Sequence, residues 1–127
     1  MPLVTVTVRK PQAPAFKRAV LEGVHAALVA AGVPKDDRFQ RVLELDAGDL
    51  VVDPRYPDLQ RDRGPGFVLV EILFSVGRSV KVKRKLLADL VANLGREPGI
   101  DAEDIFVVFK ETAWENWAFG GGRQLHA

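Results

Sequence analysis

The chain opens on a stretch that alternates apolar and polar residues behind a proline, Met1-Pro2-Leu3-Val4-Thr5-Val6-Thr7-Val8. A period of two is typical of a β-strand with its valines on one face and its threonines on the other. If Met1 is removed, as is usual before a small second residue, the chain begins with the secondary amine of Pro2. A terminal amine titrates at about 7.7–8.0, so it can exchange protons near neutral pH. The alternative interpretation is a proline that is simply tolerated at the first position of a strand.

A helix is predicted after this strand. Pro14 suits a first helical turn, because the N–H that proline lacks is not needed there. From Phe16 to Ala31 the apolar residues recur at three- and four-residue steps, which predicts one buried stripe. Gly32 is placed to end the helix with a left-handed cap. A second strand is predicted over Phe39–Leu45, and a further short strand over Leu50–Val52.

The second half of the chain follows a loop at residues 53–66, which is rich in Pro, Gly and charged residues. Phe67–Phe74 is a nearly continuous apolar run and indicates a well-buried strand. Gly77 then turns the chain into a second helix with Ser79 as its N-cap. The apolar stripe of this helix is predicted to contain Leu87, Leu90, Val91 and Leu94. Its first turns also carry four cations that are expected to form a solvated face, namely Lys81, Lys83, Arg84 and Lys85. Ile105–Phe109 is the last predicted strand.

The order strand-helix-strand thus occurs twice, and a shift of 67 residues lays 33–39 over 100–106. We predict an α+β fold with a single domain, residues 1–127. It contains the pseudo-repeats 1–52 and 66–127, joined by the linker loop 53–65. A tandem β-α-β repeat with right-handed crossovers closes into a four-stranded sheet with two helices on one face. The uncovered face of such a sheet predicts oligomerisation through it.

Composition narrows the possible functions. A chain of 127 residues with 47% apolar residues can form one core. The net charge of +1 indicates neither a nucleic-acid nor a membrane-surface partner. No apolar run approaches the roughly 20 residues that span a bilayer, and no signal-peptide pattern is present, so a cytoplasmic location is expected. Cysteine is absent, and the two histidines, His25 and His126, lack metal-ligand spacing, so neither a metal nor a cofactor is expected.

Four features in this order resemble the tautomerase superfamily. They are Pro2 opening a strand, the β-α-β tandem, Gly77-Arg78-Ser79 before the second helix, and the closing stretch Asn116-Trp117-Ala118-Phe119-Gly120-Gly121-Gly122. The length and the doubled unit look most like the malonate semialdehyde decarboxylase group and its relatives, the cis-3-chloroacrylic acid dehalogenases. The likeness spans the whole chain. It implies a homotrimer that acts on a small carboxylate-bearing substrate.

The resemblance also implies roles for individual residues. Pro2 matches the family's catalytic proline, which is a base when neutral and an acid when protonated. Arg78 matches the arginine that binds the substrate carboxylate, and a guanidinium at a helix start suits that role physically. Asp37 matches an aspartate that assists the proline or activates water, although aspartate is also a common turn residue. Trp117 and Phe119 match the aromatic wall around the proline, and they would equally suit packing at a subunit interface.

The sequence departs from both relatives at their second arginine. The decarboxylase group has it where this chain has Val76, and the dehalogenases where this chain has Ser75. Arg9 and Arg38 are the candidates to replace it. Decarboxylation and hydration rely on two cations in those groups, whereas keto–enol tautomerisation of a 2-oxo or 3-oxo acid needs one proton shuttle and one anion anchor. Tautomerisation is therefore the predicted activity. The alternatives are a decarboxylase or hydratase of the malonate semialdehyde decarboxylase type and a non-catalytic oligomeric module.

Overall fold

The computed structural model of the protein describes residues 1–125. His126 and Ala127, the last two residues of the second pseudo-repeat, lie outside the described part. Within that part the strands are β1 (Leu3–Arg9), β2 (Phe39–Leu45), β3 (Val68–Ser75) and β4 (Ile105–Thr112). The two α-helices are α1 (Pro14–Ala30) and α2 (Val80–Arg96). No helix among residues 1–125 combines the length and the apolar character that crossing a membrane requires.

The strands form one mixed sheet in the order β2-β1-β3-β4. β1 and β2 run parallel, β3 and β4 run parallel, and the two halves meet through the antiparallel pair β1 and β3. Each half is a β-α-β unit, because parallel neighbours need a long crossover connection. The predicted α+β fold, a four-stranded sheet with two helices, is confirmed.

The core lies between the sheet and the two helices. On β1 the valines of one face, Val4, Val6 and Val8, are at most 1% exposed, and in the ladder they stand beside Ile72, Val70 and Val68. The helices contribute the buried residues Val20, Val24 and Leu28 from α1 and Leu86, Leu90 and Leu94 from α2. All of these side chains belong to one apolar cluster. The helices therefore cover a single face of the sheet.

Two sequence predictions about apolar residues are wrong. Leu87 is 39% exposed, and the buried stripe of α2 runs through Leu86 instead. Adjacent helical residues differ by about 100°, so the pair Leu86-Leu87 is ambiguous until the sheet selects one face. The segment Leu50–Val52 forms no strand, and Val51 is 94% exposed. It follows the 3₁₀ turn Ala47–Asp49, which takes the chain away from the edge strand β2.

The shift that relates the two halves also differs from the predicted one. The buried positions of the helices are 66 residues apart, as in Val20 and Leu86, Val24 and Leu90, and Leu28 and Leu94. The shift of 67 holds for Val33 and Ile100, which are buried just before the last strand of each half. This buried position therefore lies one residue later in the second connection, although α1 and β2 are separated by as many residues as α2 and β4.

The predicted turns are confirmed. Gly32 and Gly77 have φ values of 104° and 119°, which is the left-handed region that favours glycine. Ser79 caps α2, because its hydroxyl oxygen accepts the backbone N–H of Val82 at 3.1 Å.

The face of the sheet that the helices leave uncovered, called the outer face below, is mixed rather than uniformly apolar. At its centre Arg41 donates to the Thr5 hydroxyl at 2.8 Å, and Lys110 pairs with Glu71 at 2.7 Å. Large apolar side chains stand toward its sides, and Phe39, Leu43 and Phe106 are each more than two fifths exposed. The outer face therefore combines hydrogen-bonded and charged side chains at its centre with exposed apolar side chains at its sides.

A buried carboxylate ties the linker loop to β4. Asp104 is 6% exposed, and its two oxygens accept the backbone N–H of Gly64 and the guanidinium of Arg61, both at 2.8 Å. We expect Asp104→Ala to lower the free energy of unfolding by about 1–3 kcal/mol, because it leaves the Gly64 N–H without its acceptor. Urea unfolding at neutral pH measures this. Asp62→Ala, which removes an exposed carboxylate of the same loop, should leave the transition unchanged. Equal effects of the two substitutions would contradict this role for Asp104.

Candidate active site

The candidate site lies at one edge of the sheet, and the strand directions explain why it forms there. Because β3 runs antiparallel to β1, the start of β1 lies beside the end of β3. The parallel pairs then bring the start of β2 and the end of β4 to the same edge. Pro2 precedes β1, Asp37 precedes β2, and Arg78 follows β3. The tail with Trp117 and Phe119 follows β4, so residues far apart in sequence converge.

The amino terminus fills the centre of this edge. Pro2 is buried, and the Met1 ammonium pairs with the carboxylate of Asp37. The side chains of Met1 and Asp37 are only 11% and 22% exposed. The thioether sulfur of Met1 accepts the hydroxyl of Ser75 at 3.4 Å. In the untrimmed chain, Met1 therefore occupies the space between Asp37 and the end of β3.

Asp37 is held by the short connection between α1 and β2. Its backbone N–H donates to the Pro34 carbonyl at 3.0 Å, so it is a turn residue as well as a partner of the amino terminus. His25, 8% exposed, donates Nε2–H to the Lys35 carbonyl at 2.9 Å and fixes the same connection from the helix. His25 thus has a structural partner.

Arg78 stands over the ring of Phe74, with its guanidinium carbon 4.4 Å from the ring centroid. One nitrogen donates to the Ser75 carbonyl at 3.1 Å, and Arg78 forms no ion pair with any residue in the range 1–125. Burial lowers the pKa of the Arg78 guanidinium, against the opposing effect of the carboxylates of Glu111 and Asp37. An arginine so far above neutrality stays charged. Arg78 is therefore a partly desolvated cation whose remaining donors can take an anionic ligand.

Of the two candidates for a second cation, Arg38 is paired with a helix residue and Arg9 lies at the far end of β1. Arg38 donates to Glu22 and to Gln40, both at 2.8 Å, and its hydrogen bond lowers the pKa of the Glu22 carboxyl. Arg9 lies at the far end of β1, with its guanidinium 6.0 Å from the ring centroid of Phe67. Val76, where the decarboxylase group has its arginine, is 43% exposed. The site therefore has an apolar side chain at that position.

Two of the four lysines and arginines in the first turns of α2 have partners of their own. Lys83 pairs with Glu111 at 2.9 Å, and Lys85 pairs with Asp89 at 2.6 Å. Lys81 and Arg84 are exposed. The expected solvated face is confirmed for Lys81, Arg84 and Lys85, whereas the Lys83 side chain is only 26% exposed.

An aromatic row connects the tail after β4 to the start of β2. Trp117 stacks on Phe119 with ring centroids 5.8 Å apart, and Phe119 contacts Phe39 at 5.6 Å. Phe39 begins β2 and stands beside Leu3 in the ladder, so the row reaches the start of β1. The side-chain amide of Asn116 donates to the hydroxyl of Thr112 at 2.6 Å. Thr112 ends β4 and pairs with Ser75 of β3, so this hydrogen bond holds the tail near the end of β3.

The structure thus brings Pro2, Asp37 and Arg78 to one edge and joins Trp117 and Phe119 to it through Phe39. Sequence reasoning missed three contributors: the Phe39 ring, the Phe74 ring under Arg78, and the Ser75 carbonyl. Phe39 and Phe74 were predicted only as strand residues, and no sequence signal distinguishes such a phenylalanine from a core residue. Among the described residues, no group of three or more His, Cys, Asp or Glu side chains is arranged to hold a metal ion.

Comparisons with known proteins find a matching family and a similar protein. The sequence model of a family described as tautomerase enzyme matches residues 37–120. The chain is 25% identical over 124 residues to the probable tautomerase YusQ of Bacillus subtilis (strain 168), which covers 97% of this chain and 96% of that protein.

Solved structures also match nearly the full chain. A malonate semialdehyde decarboxylase, for which decarboxylase and hydratase activities are described, superposes with a TM-score of 0.88 and 30% identity, covering 96% of this chain and 93% of that one. A wild-type symmetric trimer of fused 4-OT superposes with a TM-score of 0.76 and 24% identity, covering 95% and 94% of the two chains.

Proposed function

This chain belongs to the tautomerase enzyme family, and from that premise we propose that it interconverts the keto and enol forms of small 2-oxo or 3-oxo acids. Pro2 is the proposed general acid and base. The observation that carries the proposal is the amino terminus itself, which is buried and paired with Asp37. Removal of Met1 would leave the Pro2 amine beside this carboxylate. Membership in an enzyme family favours this function over a non-catalytic oligomeric module.

The proposed reaction is an isomerisation that consumes no co-reactant. For the enol of a 2-oxo acid, the protonated Pro2 nitrogen delivers a proton to C3, while the C2 hydroxyl gives its proton to a base in the site and becomes the carbonyl. In the reverse direction the neutral nitrogen removes the C3 proton. A terminal amine titrates at about 7.7–8.0, so both forms are populated near neutral pH.

Arg78 is proposed to bind the substrate carboxylate. Its guanidinium is half-buried and forms one hydrogen bond within residues 1–125. Charged hydrogen bonds are stronger where water is partly excluded. Trp117 and Phe119 are proposed to limit the access of water to the amine.

The proposed function is tested with the purified, Met1-free protein and the enol of phenylpyruvate, whose disappearance is followed by its ultraviolet absorbance. We expect ketonisation well above the rate in buffer, with no release of carbon dioxide. A rate equal to that in buffer would contradict the proposal.

A decarboxylase or hydratase activity is the second candidate, because the chain is 30% identical to a malonate semialdehyde decarboxylase over 96% of its length. Val76 in place of an arginine and the ion pair of Arg38 with Glu22 weigh against it, since those reactions rely on a second cation in the groups that the chain resembles. Carbon dioxide released from malonate semialdehyde at a rate above that of enol ketonisation would favour this candidate.

We also propose a homotrimer assembled through the outer face. Support comes from the exposed apolar side chains of that face, including Leu43 and Phe106, and from the trimeric structure of similar fold. Phe106→Glu is expected to give a single-chain mass in light scattering, because it places a charge in the interface. Val29→Glu is the matched control on the helical side, where Val29 is 37% exposed, and it should leave the trimer mass unchanged. A Phe106→Glu protein with the wild-type mass would contradict this assembly.

A further inference from the structure

Three buried side-chain atoms among the described residues have no hydrogen-bond partner: Asp37 Oδ1, Arg63 Nε and Trp117 Nε1. The other nitrogens of Arg63 donate to the carbonyls of Asp53 and Tyr56 at 2.6 and 2.7 Å, so that side chain is committed to the linker loop. The remaining two atoms both belong to the candidate site. A buried polar atom without a partner is costly, and native structures contain few of them. A ligand that supplies the missing partners would explain both.

The two atoms have complementary chemistry. An indole Nε1–H can only donate a hydrogen bond, and an ionised carboxylate oxygen can only accept one. A keto oxygen would satisfy Trp117 alone, whereas a hydroxyl can accept from Trp117 and donate to Asp37 at the same time. We propose that Trp117 Nε1 and Asp37 Oδ1 together bind the hydroxyl of an enol substrate. This inference rests on the proposed function and specifies the substrate form that the site recognises.

The contacts of the aromatic row connect Trp117 to the start of β2, the strand that Asp37 precedes. Trp117 stacks on Phe119, Phe119 contacts Phe39, and Phe39 lies two residues after Asp37 in the chain. The other oxygen of Asp37, Oδ2, pairs with the amino terminus. Once Met1 is removed, Asp37 would stand between the proposed hydroxyl and the Pro2 amine.

This position accounts for both protons of the reaction. Protonated Pro2 gives a proton to C3, and the hydroxyl gives its proton to Asp37 Oδ1 as the C2 carbonyl forms. The carboxyl then returns that proton to the Pro2 amine beside it. The substrate has exchanged an O–H bond for a C–H bond, and the protein is unchanged.

Trp117→Phe tests the inference, because it removes the N–H and keeps an aromatic ring. The two probes are the enol of phenylpyruvate and cinnamate, which has the same carbon skeleton and carboxylate without the hydroxyl. For Trp117→Phe we expect kcat/KM on the enol to fall about 10- to 100-fold, as the loss of one buried hydrogen bond predicts. The inhibition constant of cinnamate should change less than about twofold, since cinnamate makes no use of the N–H. Trp114→Phe, at a tryptophan of the same tail that is 40% exposed, is the matched control and should leave both values unchanged.

Three results would overturn the inference. Wild-type values of both constants in Trp117→Phe would mean that the N–H binds no substrate atom. An equal loss for the enol and for cinnamate would mean that Trp117 acts only as an apolar wall. A wild-type protein that does not ketonise the enol would overturn the proposed function, and this inference with it.

Discussion

The chain that has lost Met1 is expected to ketonise the enol of phenylpyruvate about 10³-fold faster than the chain that retains it. In the retained form the Pro2 nitrogen is an amide, which cannot act as a base, whereas a terminal amine titrates near neutral pH. General acid–base catalysis by a positioned group typically contributes 10²- to 10⁴-fold, so its loss sets the size of the effect. Met1 also obstructs the site, because its ammonium pairs with Asp37 and its sulfur accepts from Ser75.

The two forms can be compared without any substitution. The retained form is purified from cells in which methionine aminopeptidase is inhibited, and intact mass measures the fraction trimmed. Treatment with the aminopeptidase should then restore activity in proportion to that fraction. Activity that is independent of trimming would exclude Pro2 from the mechanism.

Pro2→Ala tests whether catalysis needs the proline ring or only a terminal amine. Alanine at this position is also exposed by the removal of Met1, but its primary amine lacks the ring that orients the proline nitrogen. We expect a loss of about 10- to 100-fold, which is typical of a misplaced catalytic group. A value of kcat/KM equal to that of the wild type would show that the ring is not needed.

Arg78→Ala is expected to lower kcat/KM on the same enol by about 10²- to 10³-fold, the loss seen when one preorganised donor to a reacting anion is removed. Arg78 is suited to this role because it is half-buried, lies over Phe74 and has no carboxylate partner within residues 1–125. Arg78→Lys should give an intermediate value, since lysine keeps the charge without the planar fork. Cinnamate should inhibit Arg78→Ala far more weakly than the wild-type protein.

Two controls separate carboxylate binding from structural damage. Arg84→Ala removes an exposed arginine from the same helix and should leave activity unchanged. Cinnamyl alcohol, which lacks the carboxylate, should bind wild-type and Arg78→Ala proteins equally. If Arg78→Ala weakens the alcohol and cinnamate to the same extent, Arg78 supports the shape of the site and does not hold the anion.

Much of the fold could be predicted because the signals are local. The alternation of β1, the three- and four-residue spacing of α1, and the turns at Gly32 and Gly77 each depend on residues close together in sequence. The wrong predictions concern features that depend on packing against elements distant in the sequence. Leu86 and Leu87 are chemically identical, and only the position of the sheet makes one of them buried. The apolar segment Leu50–Val52 had no strand to pair with.

The candidate site was predicted less completely, because its parts come from the ends of different strands. The residues Pro2, Asp37 and Arg78 were identified from a family resemblance, and their roles remain predictions. The position of Arg38 could not be predicted, since its salt bridge to Glu22 depends on how α1 lies against β2. The sequence also could not predict that Asp37 Oδ1 and Trp117 Nε1 are buried without a hydrogen-bond partner, because this depends on how the whole molecule packs.

The sequence alone determined two β-α-β units and a proline at the start of the first strand. Backbone conformation and amphipathic spacing depend on residues only a few positions apart. The antiparallel meeting of β1 and β3 was decided only in three dimensions, and it brings four strand ends to one edge. That long-range pairing determines which charges meet the amino terminus. Asp37 and Arg78 lie there, whereas Arg9 is carried to the opposite end of the same strand.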